Sequence, residues 1–281
     1  MSATTVKWWQ ALNPAIYLIS ILPAIAVLIL AGDRLVWIEG LWLSTIAVVL
    51  LQHAINLFND VSDWKLGADK EKTDSWVRIH DNQTKPVLFH GVVSFIAGSL
   101  LGLWILLISG KLWILYIAAP LILLGYLYNA GERPLSYTRM GEWVTGICYG
   151  GVFGCLWLVA GLEPDLKALA GTLSFAALAT SLLLSHQPPQ IETDRAAGKL
   201  SFAVRYGRDK TINTSVLLFL MSGLFIGVGI YSADINAFLL SVFVLLSLSF
   251  TVYLSKIGVN PKRVLLAASC VLISGQLLKY F

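Results

Sequence analysis

Long apolar stretches, separated by short polar ones, make up most of the chain. A helix that crosses a bilayer needs about 20 predominantly apolar residues. Nine stretches meet this requirement, at residues 14–31, 40–58, 88–108, 112–129, 142–161, 166–186, 213–231, 236–255 and 263–280. Each must be helical, because lipid offers no partner to an unpaired backbone N–H or C=O group. The pattern predicts an all-α polytopic membrane protein, with nine transmembrane helices in one integral-membrane domain over residues 1–281.

The composition supports this fold class. The 281 residues are 57% hydrophobic and 13% charged, which is far from the balance of a soluble domain. The three cysteines lie in apolar stretches, without the spacing of a metal site or a disulfide framework. The first ten residues lack a signal-peptide pattern, so we expect no cleaved leader. The net charge of +4 is modest and gives no reason to expect a nucleic-acid partner.

The basic residues are distributed asymmetrically between the two sets of connections. If the N-terminus is cytoplasmic, sixteen lysines and arginines lie on the cytoplasmic side and four lie outside: Arg34, Lys111, Lys167 and Lys279. Short cytoplasmic connections are enriched in basic residues, so this orientation is the favoured one. The bias predicts an integral protein of the bacterial inner membrane, with its N-terminus in the cytoplasm and its functional site open to that side.

A first acidic segment, residues 56–69, follows the second apolar stretch. If the helix continues, four polar residues at positions i, i+3, i+4 and i+7 share one face: Asn56, Asn59, Asp60 and Asp63. Gly67 then permits a turn that brings Asp69 back towards them. Carboxylates gathered at a membrane boundary are suited to Mg²⁺, with the amides beside them. The alternative is a solvated, capped helix end, but four polar groups on one face at membrane depth favour a functional site.

A second acidic segment, residues 190–199, follows the sixth apolar stretch. Glu192 and Asp194 offer carboxylates, and three basic residues follow: Arg195, Lys199 and Arg205. Acids that hold a metal, beside bases that neutralise phosphate oxygens, would suit a metal-bridged diphosphate. An ordinary cytoplasmic loop that obeys the positive-inside rule explains the same residues equally well.

Other polar residues near these segments are weaker candidates. Tyr128 and Arg133 flank the end of the fourth stretch, where an arginine could reach the same phosphate or simply follow the topology. His53 and His186 lie close to the acidic segments. A histidine in such a position is more often hydrogen-bonded to a neighbour than catalytic, and both interpretations stay open.

The combination of motifs resembles the UbiA superfamily of intramembrane aromatic prenyltransferases. Asn56-x-x-Asn59-Asp60-x-x-Asp63, followed by Gly67-x-Asp69, resembles its first aspartate-rich motif, in the form typical of the 1,4-dihydroxy-2-naphthoate polyprenyltransferase branch. Residues 191–199 and 203–207 are similar to the second motif, and residues 131–137 with 141–142 to the loop after the fourth span. The nine spans match the count of that superfamily.

The resemblance implies that a polyprenyl diphosphate is ionised with the help of Mg²⁺ and alkylates an aromatic quinone precursor. It implies metal ligands at Asp60, Asp63, Asp69, Glu192 and Asp194, with catalytic roles for Asp60, Asp63 and Asp194. It implies substrate-binding residues at Asn56, Asn59, Tyr128, Arg133, Gln190, Lys199 and Arg205.

The sequence departs from the superfamily pattern just before the second motif. Gln190 stands where an aspartate normally opens that motif, and His186-Gln187-Pro188-Pro189 replaces a segment with an Asn-Asn pair and an arginine. These departures leave three readings: a weaker second metal site, a changed aromatic acceptor, or a non-catalytic protein that binds prenyl lipids. A secondary transporter is less favoured, because its ionisable groups would lie deeper within the spans.

Overall fold

The computed structural model describes residues 7–70, 72, 74–232, 236–278 and 280. Within these residues, nine helical segments are long and apolar enough to cross a membrane, and they coincide with the nine predicted stretches. We label their main helices α1 (Leu18–Ala31), α2 (Ile38–Leu66), α3 (Thr84–Ile108), α4 (Leu115–Asn129), α5 (Gly141–Val159), α6 (Leu166–His186), α7 (Arg208–Tyr231), α8 (Ala237–Ile257) and α9 (Pro261–Leu278). The chain is therefore an integral membrane protein, as predicted.

Short helices occupy the connections. The helices Trp8–Leu12 and Pro14–Tyr17 precede α1, and Gly32–Arg34 and Leu112–Ile114 precede α2 and α4. The others lie between α2 and α3, α4 and α5, and α6 and α7: Trp76–Ile79, Leu135–Tyr137, Pro188–Gln190, Ile191–Ala196 and Phe202–Tyr206. These three connections meet at one end of the bundle, which we call the acidic end because both acidic segments lie there.

Close helix packing holds the two acidic segments together at the same end of the bundle. The helix that precedes each acidic segment packs extensively on the helix that follows it, α2 on α3 and α6 on α7. On α6, Ser174 and Ser181 donate hydrogen bonds to backbone carbonyls of α7 at 2.9 and 2.7 Å. At Gly150 of α5, an added Cβ would lie 2.9 Å from the backbone oxygen of Thr172. Small residues of this kind let transmembrane helices approach closely.

At the end of the bundle opposite the acidic end, two lysines cap the C-termini of helices. Lys111 donates to the carbonyl oxygens of Leu158 and Val159 at the end of α5, and Lys167 donates to that of Leu30 at the end of α1. Arg34 bonds Asp165 at 2.8 Å. Cations satisfy the free carbonyls of helix C-termini and complement the helix dipole. Lys279, the fourth basic residue assigned to this side, lies outside the described residues.

The orientation of the bundle can be tested by labelling single cysteines with a membrane-impermeant thiol reagent. We expect Gln83→Cys and Ala196→Cys, both exposed at the acidic end, to react only from the cytoplasmic side. Glu163→Cys, which is exposed at the opposite end, serves as the control and should react only from outside. The three native cysteines are replaced by alanine in all variants. Labelling of Gln83→Cys from outside would overturn the predicted orientation.

Candidate active site

The first acidic segment is a continuation of α2. The helix runs to Leu66, and Gly67 ends it with a φ of +95°, a conformation that glycine adopts without strain. The chain then turns back, and the backbone N–H of Asp69 donates to the carbonyl oxygen of Asp63 at 3.3 Å. Asp60, Asp63 and Asp69 are all buried. The helical continuation and the returning Asp69 agree with the sequence-based expectation.

The second acidic segment forms the short helix Ile191–Ala196, and its two acids face opposite ways. Asp194 is 3% exposed and accepts a hydrogen bond from Ser201 at 2.7 Å. Glu192 lies two residues earlier, which places it about 200° around the helix. Its side chain is 82% exposed and pairs with Arg195 at 2.8 Å. Of the two, only Asp194 lines the central cavity.

Two lysines join the four buried carboxylates in pairs. The ammonium group of Lys72 lies 3.1 Å from Asp60 and 3.0 Å from Asp69. The ammonium group of Lys199 lies 3.4 Å from Asp63 and 3.9 Å from Asp194. The Lys199 bridge connects the first acidic segment to the second, over a separation of 136 residues.

The charges of these lysines are stabilised by their partners. Burial alone would lower the pKa of Lys72, but Asp60 and Asp69 outweigh that effect and hold the pKa above its usual value. The pKa of Lys199 is likewise raised, since Asp63 and Asp194 more than offset its burial. Burial raises the pKa of Asp194, an effect that Lys199 and the Ser201 hydrogen bond oppose only in part. The ammonium groups thus take the place that a bound cation would have between these carboxylates.

Neutral donors position Asp60 and Asp63. Asp63 accepts hydrogen bonds from the Tyr137 hydroxyl and from Asn59, each at 2.8 Å. The backbone N–H of Trp76 donates to Asp60 at 2.8 Å. Burial and the nearby Asp63 raise the pKa of Tyr137, so its hydroxyl remains a donor. In the described part of the chain, no three acidic, histidine or cysteine side chains converge on a single point in this arrangement.

Glu142, at the start of α5, fixes the connection after the second acidic segment. It accepts hydrogen bonds from the backbone N–H of Phe202 at 2.6 Å, from Gln187 at 3.2 Å and from Arg205 at 2.9 Å. Gln187 in turn accepts from the backbone N–H of Ala203 at 3.2 Å. Arg205 therefore serves this network, whereas the sequence suggested that it would bind substrate.

A cavity of about 610 Å³ opens beneath the acidic end. Its polar part includes the four aspartates described above, the two lysines, the carboxylates of Asp74 and Glu142, and a series of neutral polar residues, among them Asn56, Asn59, Tyr128, His186 and Gln190. Nε2 of His186 is buried without a hydrogen-bond partner among the described residues. The remainder lies deeper between the helices and is largely apolar, with Ile19, Val48, Leu51, Leu121, Ile122, Val152, Ala179 and Leu183 in its wall.

The cavity separates the predicted site residues into two groups. It brings together Asn56, Asn59, Asp60, Asp63, Asp69, Tyr128, Gln190, Asp194 and Lys199. Arg133 is exposed, Glu192 faces outward and Arg205 bonds Glu142, so these three do not line it. Sequence reasoning missed the pairing roles of Lys72 and Glu142. For Lys72 a signal existed, because it is the basic residue that follows Asp69 by three positions.

The chain belongs to the UbiA prenyltransferase family. The profile of that family matches residues 20–273. The acidic cavity at one end of the membrane helices is the candidate active site of this family member.

Similar proteins include enzymes named for naphthoate substrates. The chain is 28% identical over 209 residues to a 1,4-dihydroxy-2-naphthoate octaprenyltransferase of Bacillus subtilis, covering 71% of this chain and 65% of that protein. It is 31% identical over 180 residues to a protein of the same name from Mycobacterium tuberculosis, covering 63% and 61%. The aligned region thus spans less than two thirds of each of these two relatives.

Solved structures with the same fold cover nearly the whole chain. A UbiA homolog from Archaeoglobus fulgidus, bound to DMAPP and Mg²⁺, superimposes with a TM-score of 0.68 at 14% identity, over 97% of this chain and 98% of that one. The apo structure of a UbiA homolog from Aeropyrum pernix gives 0.67 at 14% identity, over 95% and 97%. At these identities the likeness establishes the fold.

The place of Lys72 between two carboxylates can be tested by thermal unfolding in detergent. We expect Lys72→Met to lower the free energy of unfolding by about 1–3 kcal/mol without Mg²⁺, because Asp60 and Asp69 lose their counterion. The cost is below that of a fully buried pair, since 35% of the Lys72 side chain is exposed. Added Mg²⁺ should then raise the Tm of Lys72→Met more than that of the wild type, because no ammonium group competes.

The matched control is Lys70→Met, an exposed lysine two positions away. It should unfold like the wild type with and without Mg²⁺. An equal Mg²⁺-induced Tm shift in Lys72→Met and wild type would contradict the competition between the lysine and the metal.

Proposed function

We propose that the protein transfers an isoprenyl group from a polyprenyl diphosphate to an aromatic quinone precursor, 1,4-dihydroxy-2-naphthoate, in menaquinone biosynthesis. The observation that carries this proposal is the meeting of four carboxylates from two distant segments at the polar end of a cavity whose other end is apolar. A substrate with a diphosphate head and a hydrocarbon tail matches that division. The names of the naphthoate-specific relatives support the choice of acceptor.

The donor set at the polar end fits Mg²⁺. Asp60, Asp63, Asp69 and Asp194 offer hard carboxylate oxygens, the ligand type that Mg²⁺ prefers, and positive charge already lies between them as lysine ammonium groups. We assign these four as the metal-binding residues, with Asp60, Asp63 and Asp194 required for catalysis. Bound there, Mg²⁺ would neutralise the diphosphate and make it a better leaving group.

The lysines and amides then have roles towards the diphosphate. With Mg²⁺ held by the four aspartates, the ammonium groups of Lys72 and Lys199 would be free at the rim of the same cavity and could pair with phosphate oxygens. Asn56 and Asn59 offer amide N–H donors on the same helix face. Positive charge and donors fixed around a departing diphosphate stabilise the charge that develops as the C–O bond breaks.

The acceptor has room beside the second acidic segment. Gln190, Tyr128 and the unpartnered Nε2 of His186 line this part of the cavity and offer neutral hydrogen-bonding groups for hydroxyl or carboxyl oxygens. We assign Tyr128 and Gln190 to substrate binding. Arg133, Glu192 and Arg205 receive no substrate or metal role, since their side chains lie outside the cavity.

We further propose that the chain acts as one membrane domain in the bacterial cytoplasmic membrane, with the acidic end and the N-terminus on the cytoplasmic side. The excess of basic residues at that end supports this orientation. It would give a water-soluble aromatic acceptor access from the cytoplasm, while the prenyl tail enters from lipid.

The metal-site assignment predicts the effect of single isosteric substitutions. Asp60→Asn and Asp63→Asn should each lower Mg²⁺-dependent prenyl transfer by at least about 100-fold, because each removes a charged ligand from the diphosphate end. Activity is measured as prenylated product formed from a polyprenyl diphosphate and dihydroxynaphthoate in lipid nanodiscs.

Glu192→Gln is the matched control. Its carboxylate lies in the same acidic segment as Asp194 but faces outward, so activity should remain within about twofold of wild type. Full activity in Asp60→Asn and Asp63→Asn would refute the metal-site assignment. If the wild type transfers the prenyl group to a different aromatic compound and not to dihydroxynaphthoate, the proposed reaction type stands and the proposed acceptor is wrong.

Gln190→Asp distinguishes a weakened metal site from a changed acceptor pocket. We expect this substitution to alter the ranking of aromatic acceptors while leaving the Mg²⁺ concentration for half-maximal rate unchanged, because Gln190 departs from the superfamily pattern together with its four preceding neighbours. A Mg²⁺ titration of wild type and variant with two acceptors provides the measurement. A clear shift to lower Mg²⁺ with unchanged ranking would instead assign Gln190 to the metal site. Absence of activity in both proteins with every acceptor would favour a non-catalytic prenyl-lipid binder.

A further inference from the structure

Three titratable side chains form a continuous chain that leads away from the cavity. The hydroxyl of Tyr17, which lines the cavity, lies 2.6 Å from Nδ1 of His53. Nε2 of His53 lies 3.2 Å from Nε2 of His90. The three residues come from different elements: the short helix before α1, helix α2 and helix α3. Because these residues are distant in the sequence, only the tertiary fold brings them into contact.

The direction of proton transfer along these three side chains follows from which nitrogen of His53 carries a hydrogen. We assign the phenol of Tyr17 as the donor to Nδ1 of His53, which places the hydrogen of the neutral His53 ring on Nε2. That N–H then points at Nε2 of His90, which accepts. Each of the three side chains can therefore take up a proton from one neighbour and release a proton to the next, as a proton relay requires.

Packing holds the two imidazoles in this geometry. The indole ring of Trp76 lies 5.7 Å from the His53 ring and 5.3 Å from the His90 ring, edge-on to both. The same residue bonds Asp60 through its backbone N–H. The histidine pair is thereby coupled in position to the first acidic segment.

The relay runs from the cavity towards the water at the acidic end. At the cavity, Tyr17 shares the lining with Asn56 and Asp60. At the other end, His90 lies less than two turns after the start of α3 and is partly exposed, and the preceding connection contains a further histidine, His80. His53 faces Tyr17 and His90. The three residues thus lead from the lining of the cavity to a partly exposed histidine at the acidic end.

We propose that Tyr17, His53 and His90 form a proton relay that exchanges the phenolic hydroxyl proton of the aromatic acceptor with water. This inference rests on the proposed function, since it assigns a proton path to the same reaction. A phenol that loses its proton as its ring attacks is a far better nucleophile, and a fixed row of hydrogen-bonded groups can take up that proton at the moment of attack.

The C–O bond of the prenyl diphosphate breaks and its electron pair leaves with the diphosphate. A ring carbon of the acceptor forms the new C–C bond, and the acceptor hydroxyl gives its proton to Tyr17 as Tyr17 gives its own to His53 and His53 gives one to His90. The ring carbon then loses its substituent. If a ring proton leaves, it restores the hydroxyl, and the relay has carried the net proton out. If the substituent leaves as CO₂, the relay returns a proton to the phenolate.

Kinetics of three conservative variants test the relay. Tyr17→Phe, His53→Gln and His90→Gln should each lower kcat for prenyl transfer by about 100-fold, the low end of the range for general acid–base catalysis. The KM for the prenyl diphosphate should not change. Release of diphosphate without an acceptor should continue at the wild-type rate, since that partial reaction needs no phenolic proton.

Chemical rescue separates proton transfer from packing. In His90→Ala, added imidazole should restore activity, and substituted imidazoles should do so in proportion to their basicity. His80→Gln is the control and should retain activity within about twofold, because water can accept the proton directly from His90. A purely structural role of His90 predicts no rescue.

The outcomes distinguish this inference from the proposed function. A wild-type protein without prenyl transfer to any aromatic acceptor would overturn both. An active wild type with unaffected kcat in His53→Gln and His90→Gln would overturn the relay alone. So would a loss of activity in His90→Ala that no imidazole restores.

Discussion

Four buried carboxylates at the end of a membrane-embedded helix bundle are the constraint on which the rest of this structure depends. Charged groups in such a place are costly unless other charges or hydrogen bonds compensate them. Here Lys72 and Lys199 each join two carboxylates, and Lys199 does so across the two acidic segments. The electrostatic requirement of the first segment thus determines where the second must lie.

The hydrogen-bond network around these charges explains why the connections at the acidic end have regular structure. Tyr137, in the connection between α4 and α5, bonds the first segment, and Glu142, at the start of α5, bonds the connection after the second segment. Each bond satisfies a buried polar group, and each orients a carboxylate or an arginine that would otherwise be free to turn. The result is a polar rim whose groups are held in place by hydrogen bonds, which is the condition that electrostatic catalysis of the proposed reaction requires.

The same arrangement has a consequence for metal binding. A lysine that neutralises two carboxylates keeps the apo site stable and also competes with a divalent cation for those oxygens. Under the proposed function, an ammonium group displaced by metal would stay at the rim of the cavity, where it could pair with the diphosphate. The lysines thus neutralise the aspartates in this structure, and the proposed function gives them a second role in neutralising the diphosphate.

The sequence by itself determined the membrane class, the nine spans and the shared face of Asn56, Asn59, Asp60 and Asp63. Lipid permits only helices, and helical periodicity fixes which neighbours share a face. Only the tertiary structure decided that Asp194 enters the cavity and Glu192 does not, that Arg205 serves Glu142, and that Tyr17, His53 and His90 form one chain. These outcomes depend on partners supplied by distant segments, and periodicity along one helix carries no information about which distant side chain will meet it.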